Sequence, residues 1–367
     1  MPRAVTSLSL SHFRSHRRAH LVVDARPVVL CGPNGAGKTN LLEALSLLSP
    51  GRGLRRAAAV DLARRPEALG WRIGADLRAG DRLHEIDLRA EAGQSRATRI
   101  DGKAASQTQL GQMLPVLWLV PSMDRLWLEG AEGRRRFLDR MTLSFFPDHA
   151  GVSLDYDKAM RDRNRLLKDQ VQDGRWYDAL EARMAESGAR IHAHRSTALD
   201  LIAEAQDRAE TAFPAATLAM IWPDGAPLSA TQDGLAEAFA RARRADLRAG
   251  RSLVGPHRAD LGAEFTAKGV TAAQCSTGEQ KALLISLLLS NARALRDRDG
   301  AAPLVLLDEI AAHLDEQRRS ALYDEICALG AQAWMTGTEA HLFDALGGRG
   351  QRFEITETGG ESIVAEA

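Results

Sequence analysis

The sequence predicts an α/β fold in which a phosphate-binding lobe is interrupted by a compact helical insert. A short apolar run at 28–30 is followed by a glycine-rich turn and by a helix-like segment at 40–48, with no breaker before Pro50. A second apolar run, 303–309, ends in two carboxylates and is typical of a strand that is buried on both faces of a parallel sheet. Between these runs, residues 131–213 are rich in Ala, Arg, Asp, Glu and Leu, which favours helices.

Length and composition limit the class of protein. A chain of 367 residues is too long for one ordinary core, so we predict a lobe in two parts, 1–120 and 251–367, around a mainly helical insert at 121–250. Basic and acidic residues number 48 each, so contact with nucleic acid would need local clusters of arginine. The three cysteines are far apart, which argues against a zinc site or a disulfide framework. Without a signal peptide or a long apolar segment, we expect a cytoplasmic protein with no membrane partner.

The N-terminal segment predicts two strands that are joined by a polar turn. Residues 5–10 alternate in the period-two manner, and 19–23 form a second apolar run. We expect a turn at 11–18, which carries three arginines. Arg14 is placed where its side chain could fold back over a nucleotide, although a solvated turn explains it equally well.

The glycine-rich turn that follows matches the phosphate-loop pattern G-x-x-x-x-G-K-[ST]. Its residues are Gly32, Pro33, Asn34, Gly35, Ala36, Gly37, Lys38 and Thr39. Glycines let successive backbone N–H groups point inward, and the helix N-terminus adds partial positive charge. We expect Lys38 to reach the β- and γ-phosphates and the Thr39 hydroxyl to ligate Mg²⁺. An accidental glycine turn is the alternative, and the flanking strand and helix argue against it.

The middle of the chain predicts a strand meander and then helices. Residues 70–78, 83–90 and 96–100 read as successive strands, and 116–120 as a buried strand that ends at Pro121. Trp176–Phe213 is a candidate long helix, which could form an antiparallel hairpin through a joint near Asp173-Gly174.

The insert also carries basic runs, and its heptad pattern is too poor for a coiled-coil arm. The arginines of 161–165 and 241–251 are either solvated helix faces or DNA contacts, and the sequence leaves both open. From Leu253 the chain is apolar again, which predicts a return to the sheet of the lobe.

The second part of the lobe carries two further candidate sites. Asp308 and Glu309 follow the buried strand at the end where α/β sheets place ligands. We expect Asp308 to hold Mg²⁺ through its water shell and Glu309 to orient or deprotonate the attacking water. Residues 276–281 open a long apolar helix, and a serine and a glycine at a helix start present free N–H groups to an anion. Such a site is most useful facing another subunit's nucleotide, although a plain N-cap explains it too.

Together these motifs resemble a known family. Residues 276–280 resemble the signature motif of ABC-type ATPases, and Leu307-Asp308-Glu309 with 313–315 resembles their Walker B motif and D-loop. A helical insert between phosphate loop and signature is the order found in the SMC-like branch. The amino-acid sequence resembles the RecF family over nearly the whole chain. The matching segments are Phe13-Arg14, Gly32 to Asn40, Arg134 to Asp139, Asp155-Tyr156, Val254 to Leu261 and the signature.

The resemblance implies an ABC-type P-loop ATPase head that binds ATP and Mg²⁺ and dimerises on ATP. It implies a role in DNA repair and replication restart, in which the protein binds single-strand/double-strand DNA junctions and acts with RecR and RecO to load recombinase on gaps. Nucleotide contacts would come from Arg14, Gly32 to Thr39, Asn40 and, across the dimer, Ser276, Gly278, Gln280 and Asp315. Lys38, Asp308 and Glu309 would be the catalytic residues, with Thr39 and Asp308 at the metal.

Two departures from the ABC pattern predict slow turnover. Where transporter ATPases carry a switch histidine, this chain has residues 334–338, Trp-Met-Thr-Gly-Thr, and no clear Q-loop glutamine follows Val120. We therefore expect a slow ATPase that acts as a timer. A transporter ATPase subunit and a metabolic P-loop kinase are the alternatives, and DNA binding by the purified protein would separate the first of these from a repair protein.

Overall fold

The computed structural model describes residues 3–223 and 229–367. In these ranges the strands are β1 (Arg3–Phe13), β2 (His16–Val22), β3 (Val28–Cys31), β4 (Gly70–Ala79), β5 (Arg82–Glu91), β6 (Ala97–Ile100), β7 (Lys103–Ala104), β8 (Val116–Leu119), β9 (Ala216–Ile221), β10 (Asp260–Phe265), β11 (Val270–Thr271), β12 (Leu304–Leu307), β13 (Ala333–Gly337), β14 (Gln351–Thr358) and β15 (Glu361–Glu366). The α-helices are α1 (Lys38–Ser46), α2 (Gln107–Met113), α3 (Ala131–Phe145), α4 (His149–Lys168), α5 (Gly174–Asp207), α6 (Gln232–Ala249), α7 (Thr277–Asp299) and α8 (Glu316–Leu329). No helix of the described ranges is both long and apolar enough to cross a membrane.

The chain divides into two compact units. Unit 1 comprises the residues up to Asp124, Glu204–Ala215 and Ser276–Ala367, and unit 2 comprises Arg125–Ala203 and Ala216–Cys275. This division places 251–275 in unit 2, whereas the sequence analysis assigned that stretch to the lobe.

The central sheet of unit 1 positions the predicted phosphate loop. Its strand order is β15-β14-β3-β13-β12-β8, in which only β15 runs antiparallel to its neighbour. Because β3 and β12 flank β13 in parallel, the residues that follow all three strands meet at one edge of the sheet. Every residue of β12 is buried, which accounts for its uninterrupted apolar sequence.

A second, antiparallel sheet of unit 1 has the order β2-β1-β4-β5-β6-β7. The predicted meander is confirmed as β4, β5 and β6, but the predicted turn at 11–18 is wrong in its extent. Only Arg14 and Ser15 turn, and Phe13 pairs with His16 across the hairpin. Phe13 and His16 are both fully buried, so the inward-facing pattern of the two strands continues through a segment whose other residues are polar.

Unit 2 contains helices and a small sheet that the sequence analysis missed. The strands β9, β10 and β11 form a three-stranded antiparallel sheet. The predicted return to the lobe's sheet after Leu253 is therefore wrong, because β10 pairs with β9 instead. The joint between α4 and α5 near Gly174 is confirmed, whereas α5 ends at Asp207 and not at Phe213.

Two arginines of the basic runs of unit 2 bind buried carboxylates. Arg163 is fully buried, and its guanidinium binds Glu181 at 2.9 Å and Asp246 at 2.7 Å. Arg243 binds Glu181 and Asp178. The two arginines thus link α4, α5 and α6 through ion pairs, and the complete burial of Arg163 excludes it from a solvated face that could bind DNA.

Candidate nucleotide-binding site

The loop between β3 and α1 requires glycine for two different reasons. Gly32 has a φ of +153°, and a Cβ there would overlap the carbonyl oxygen of Ile355. Gly37 has a φ of +106°, and a Cβ there would overlap the hydroxyl oxygens of Ser362 and Ser15. Both positions combine a backbone conformation that side chains rarely adopt with a close approach of neighbouring atoms. The packing around the loop in unit 1 therefore requires glycine at both positions.

Lys38, the first residue of α1, is held beside the loop by three oxygens. Its ammonium donates to the carbonyl oxygens of Gly32 at 2.6 Å and Pro33 at 3.0 Å, and it lies 3.4 Å from Glu309 Oε1. The side chain is only 4% exposed. A buried ammonium needs such partners, and phosphate oxygens could replace the Glu309 carboxylate. Lys38 and Glu309, which were predicted to act on the same nucleotide, thus lie next to each other in unit 1.

Thr39 and Asp308 meet as the sequence analysis expected of a Mg²⁺ site. The Thr39 hydroxyl donates to Asp308 Oδ1 at 2.8 Å, and Thr336 Oγ1, at the end of β13, donates to the same oxygen at 2.8 Å. Hydroxyl and carboxylate oxygens are ligands that Mg²⁺ accepts. No cluster of three His, Cys, Asp or Glu side chains that could hold a metal ion occurs in the described ranges. The two oxygens fit an ion that takes its remaining ligands from water and phosphate.

Glu309 occupies a strained backbone conformation next to this pair. Its φ is +54°, in the left-handed region, and its N–H donates to Thr336 Oγ1 at 2.9 Å. The left-handed conformation costs a non-glycine residue roughly 1–2 kcal/mol, and such strain clusters at functional sites. The hydroxyl of Thr336 thus holds both Asp308 and the backbone of Glu309, a role that the sequence analysis missed. Thr336 belongs to the Trp-Met-Thr-Gly-Thr segment at 334–338, in which the sequence analysis noted only the absence of a histidine.

The hairpin turn and β15 support the phosphate loop from outside the motif. Asn40 Nδ2 donates to Ser15 Oγ at 2.7 Å, and Ser362 Oγ donates to the same atom at 2.6 Å. Burial lowers the pKa of His16, so its ring is neutral at pH 7, and Nε2–H donates to the Gly37 carbonyl oxygen at 3.2 Å. Ser15, His16 and Ser362 lie outside the loop in sequence, and no motif marks them.

Arg14 lies in this hairpin turn, but its guanidinium is engaged by protein atoms. It donates to both carboxylate oxygens of Glu43, at 2.8 and 2.7 Å, and to the carbonyl oxygen of Asp61 at 2.8 Å. Its contact with a nucleotide stays a prediction.

The signature residues begin α7. Ser276 and Glu279 form a capping box, in which Ser276 N–H and Oγ each donate to Glu279 Oε2 at 2.8 Å. The plain N-cap alternative is thus part of the structure, and a site for a partner's nucleotide stays a prediction. Gly278 faces open space, because an added Cβ would meet nothing within 4 Å. Gln280 is 1% exposed, so its side chain would have to leave the interior to meet a partner's phosphate.

The remaining predicted contacts differ in their exposure to solvent. Pro33, Asn34 and Gly35 at the tip of the loop are exposed. Asp315 is exposed too, and its carboxylate caps α8 by accepting from Arg318 N–H at 2.8 Å. Ala36 is buried beneath the loop.

Relatives with known names cover almost the whole chain. A family model described as RecF/RecN/SMC N terminal domain matches residues 4–346. The DNA replication and repair protein RecF of Caulobacter sp. (strain K31) is 44% identical over 381 residues, which cover 97% of this chain and 97% of that protein. The protein of the same name from Brucella suis biovar 1 is 48% identical over 367 residues, 96% of this chain and 94% of its own.

Solved structures share the fold. The structure of the recombination mediator protein RecF-ATPrS in the RecFOR pathway superimposes with a TM-score of 0.84 at 22% identity, over 99% of this chain and 98% of the other. The Smc head domain from Pyrococcus furiosus gives 0.56 at 16% identity, over 100% of this chain and 96% of the other. The predicted α/β head of ABC type with a helical insert is confirmed, and the chain belongs to the RecF family of SMC-like ATPases.

Proposed function

We propose that this chain is an ATP-dependent DNA replication and repair protein that binds Mg-ATP and hydrolyses it slowly. The observation that carries the proposal is the 2.8 Å hydrogen bond between Thr39 and Asp308. Beside it, the Lys38 ammonium is held by the Gly32 carbonyl oxygen and the Glu309 carboxylate, and phosphate oxygens could replace that carboxylate. The relatives named RecF and the solved structure whose title includes RecF-ATPrS support the choice of ATP.

Each residue has a distinct part in this proposal. Backbone N–H groups of residues 34–39 cradle the β-phosphate, and the Lys38 ammonium moves from Glu309 to the β- and γ-phosphates. Thr39 and Asp308 would hold Mg²⁺, which would supply positive charge to neutralise the phosphates. Glu309, released from Lys38, orients the attacking water and accepts its proton. Because residues 334–338 contain no histidine where transporter ATPases carry the switch histidine, we expect hydrolysis to be slow.

The second half of the site comes from another copy of the chain. Ser276 and Gly278 are exposed at the start of α7, where N–H groups and the helix dipole attract an anion. No atom of the described residues lies within 4 Å of a Cβ added at Gly278, so packing within these residues does not require glycine there. Close approach of a partner's nucleotide supplies the missing reason. Gln280 and Asp315 would join this interface after Gln280 turns outward.

The dimer would act on DNA in the cytoplasm. By analogy with the RecFOR pathway named for the solved structure, we propose binding at single-strand/double-strand junctions and cooperation with RecR and RecO in loading recombinase on gaps. The transporter-subunit alternative is not favoured, because the matched relatives are named for DNA replication and repair.

The test is DNA binding by the purified chain with and without Mg-ATP. Single-stranded, duplex and junction DNA are compared in fluorescence anisotropy, with Lys38→Ala as the defective variant and Lys103→Ala, an exposed lysine of β7, as the control. We expect ATP to strengthen junction binding by the unaltered chain and by the control, and to have no effect on Lys38→Ala. Equal DNA binding with and without ATP would contradict the proposal.

A further inference from the structure

A fully buried carboxylate on the phosphate-loop helix binds two arginines. Glu43 lies in α1, and its side chain is 0% exposed. Arg14 approaches from the hairpin turn and binds both of its oxygens, at 2.8 and 2.7 Å. Arg55 approaches from the connection that follows α1 and binds Glu43 Oε2 at 2.9 Å. Three separate parts of unit 1 thus meet at this carboxylate.

The charges of this cluster do not balance. Two guanidinium groups share the single carboxylate of Glu43, and the Asp61 group that Arg14 also contacts is a backbone carbonyl. The side-chain carboxylate of Asp61 lies 3.8 Å from Arg65 instead. One positive charge is left over, and an anion would neutralise it.

Arg55 has the donors and the exposure to bind that anion. Only its Nη1 is used, by Glu43 and by Asn40 Oδ1 at 2.7 Å, and in the described ranges Nε and Nη2 donate to no acceptor. Its side chain is 41% exposed. Asn40 belongs to the first turn of α1, so its contact places the Arg55 guanidinium beside the helix end where phosphate oxygens would lie.

We propose that Glu43 is a positioning residue that aims Arg55 at the phosphates of the bound nucleotide. The inference rests on the proposed ATP binding and adds to it Arg55 as a phosphate contact and Glu43 as the group that holds it. Arg14 binds both oxygens of the same carboxylate, one of which also accepts from Arg55, and so holds Glu43 in place.

The direction in which Glu43→Gln changes ATP affinity separates a positioning role for Glu43 from a purely electrostatic one. If Glu43 acted only as a negative charge near the phosphates, its replacement by glutamine would raise the local positive potential and tighten ATP binding. If it holds Arg55 in place, the same replacement frees the guanidinium and weakens ATP binding. A structural role alone would change the melting temperature without a change of affinity that depends on Arg55.

The experiment measures Mg-ATP affinity by calorimetry for the whole chain and for Glu43→Gln, Arg55→Ala and the double variant. Arg52→Ala is the control, because Arg52 is exposed in the same connection and makes no hydrogen bond or ion pair within the described residues. We expect each single variant to weaken ATP binding about tenfold, as loss of a charged hydrogen bond does, and the double variant to be no weaker than either. Arg52→Ala should bind as the unaltered chain does.

Each other outcome overturns part of the account. Unchanged or tighter binding by Glu43→Gln, additive losses in the double variant, or an equal loss in Arg52→Ala would each refute the positioning role while ATP binding stands. Should Glu43→Gln fail to fold, Arg55→Ala decides, because its side chain is partly exposed and its normal affinity would refute the contact. If the unaltered chain bound no Mg-ATP, the proposed function would fall and this inference with it.

Discussion

Replacing Glu309 by Gln should tighten Mg-ATP binding and at the same time slow hydrolysis. The Glu309 carboxylate lies 3.4 Å from the Lys38 ammonium, with the two side chains 23% and 4% exposed. Glutamine keeps the shape of the side chain and removes its charge. The substitution therefore frees Lys38 for phosphate and removes a carboxylate that would repel the γ-phosphate.

The size of the effect follows from this distance. Two unit charges at 3.4 Å attract by roughly 5 kcal/mol at an effective dielectric constant of about 20. Most of that energy is offset, because the partly exposed carboxylate is rehydrated once it separates and Lys38 keeps its carbonyl partners. A net gain of about 1.4 kcal/mol, or tenfold in affinity, is a reasonable expectation. Loss of the group that orients water should slow hydrolysis by about 10²–10⁴-fold.

Calorimetry gives the ATP affinity, and single-turnover phosphate release gives the rate of hydrolysis. Glu316→Gln is the matched control, because Glu316 is an exposed carboxylate in the first turn of α8. The control should match the unaltered chain in both measurements. Weaker ATP binding by Glu309→Gln, or an unchanged hydrolysis rate, would refute the roles assigned to Lys38 and Glu309.

Three further predictions follow from buried polar groups. Thr336→Val removes a hydroxyl that donates to Asp308 and should lower the free energy of unfolding, measured with urea, by about 1–3 kcal/mol. Thr336→Ser keeps a hydroxyl and should lower it by less than half as much. Equal losses in the two variants would contradict this role of the hydroxyl. Burial lowers the pKa of His257 to about 4, from 6.5 in the unfolded chain. As the pH falls from 6.5 to 4, the unfolded chain therefore binds the proton before the folded chain does, and the free energy of unfolding falls by about 3 kcal/mol. His257→Gln should flatten that decline in unfolding measured across this pH range, and an unchanged slope would contradict the assignment. Arg163→Met leaves the buried Asp246 carboxylate without an ion-pair partner and leaves Glu181 with Arg243 alone. It should cost about 3–5 kcal/mol in thermal unfolding, against less than about 0.5 kcal/mol for exposed Arg161→Met, and similar losses would contradict the buried pairing.

The sequence allowed the phosphate loop and the strand before Asp308 to be predicted, because each depends on neighbouring residues. A glycine-rich turn, a lysine and a hydroxyl must follow one another to form the cradle, and β12 is apolar throughout because both of its faces are covered. The meeting of Thr39 with Asp308 could also be predicted, since both residues follow parallel strands of one sheet.

The supporting residues could not be predicted, because their partners are far away in the chain. Ser362 reaches Ser15 across 347 positions, and nothing near either serine indicates this contact. The burial of Glu43 was hidden as well, since a glutamate in a helix after the loop is typical of a solvated face. The pairing of β10 with β9 was missed because apolar runs predict a strand without naming the sheet that it joins.

The central idea is that a single copy of this chain holds ATP in its own loop, and that a second copy closes over it with the start of α7. Sedimentation velocity of the unaltered chain and of Ser276→Arg, with saturating Mg-ATP or Mg-ADP, tests it most directly. We expect ATP alone to convert the unaltered monomer into a dimer, and Ser276→Arg to bind ATP yet remain a monomer. An unaltered chain that stays monomeric with ATP, or a Ser276→Arg chain that dimerises equally well, would contradict the account.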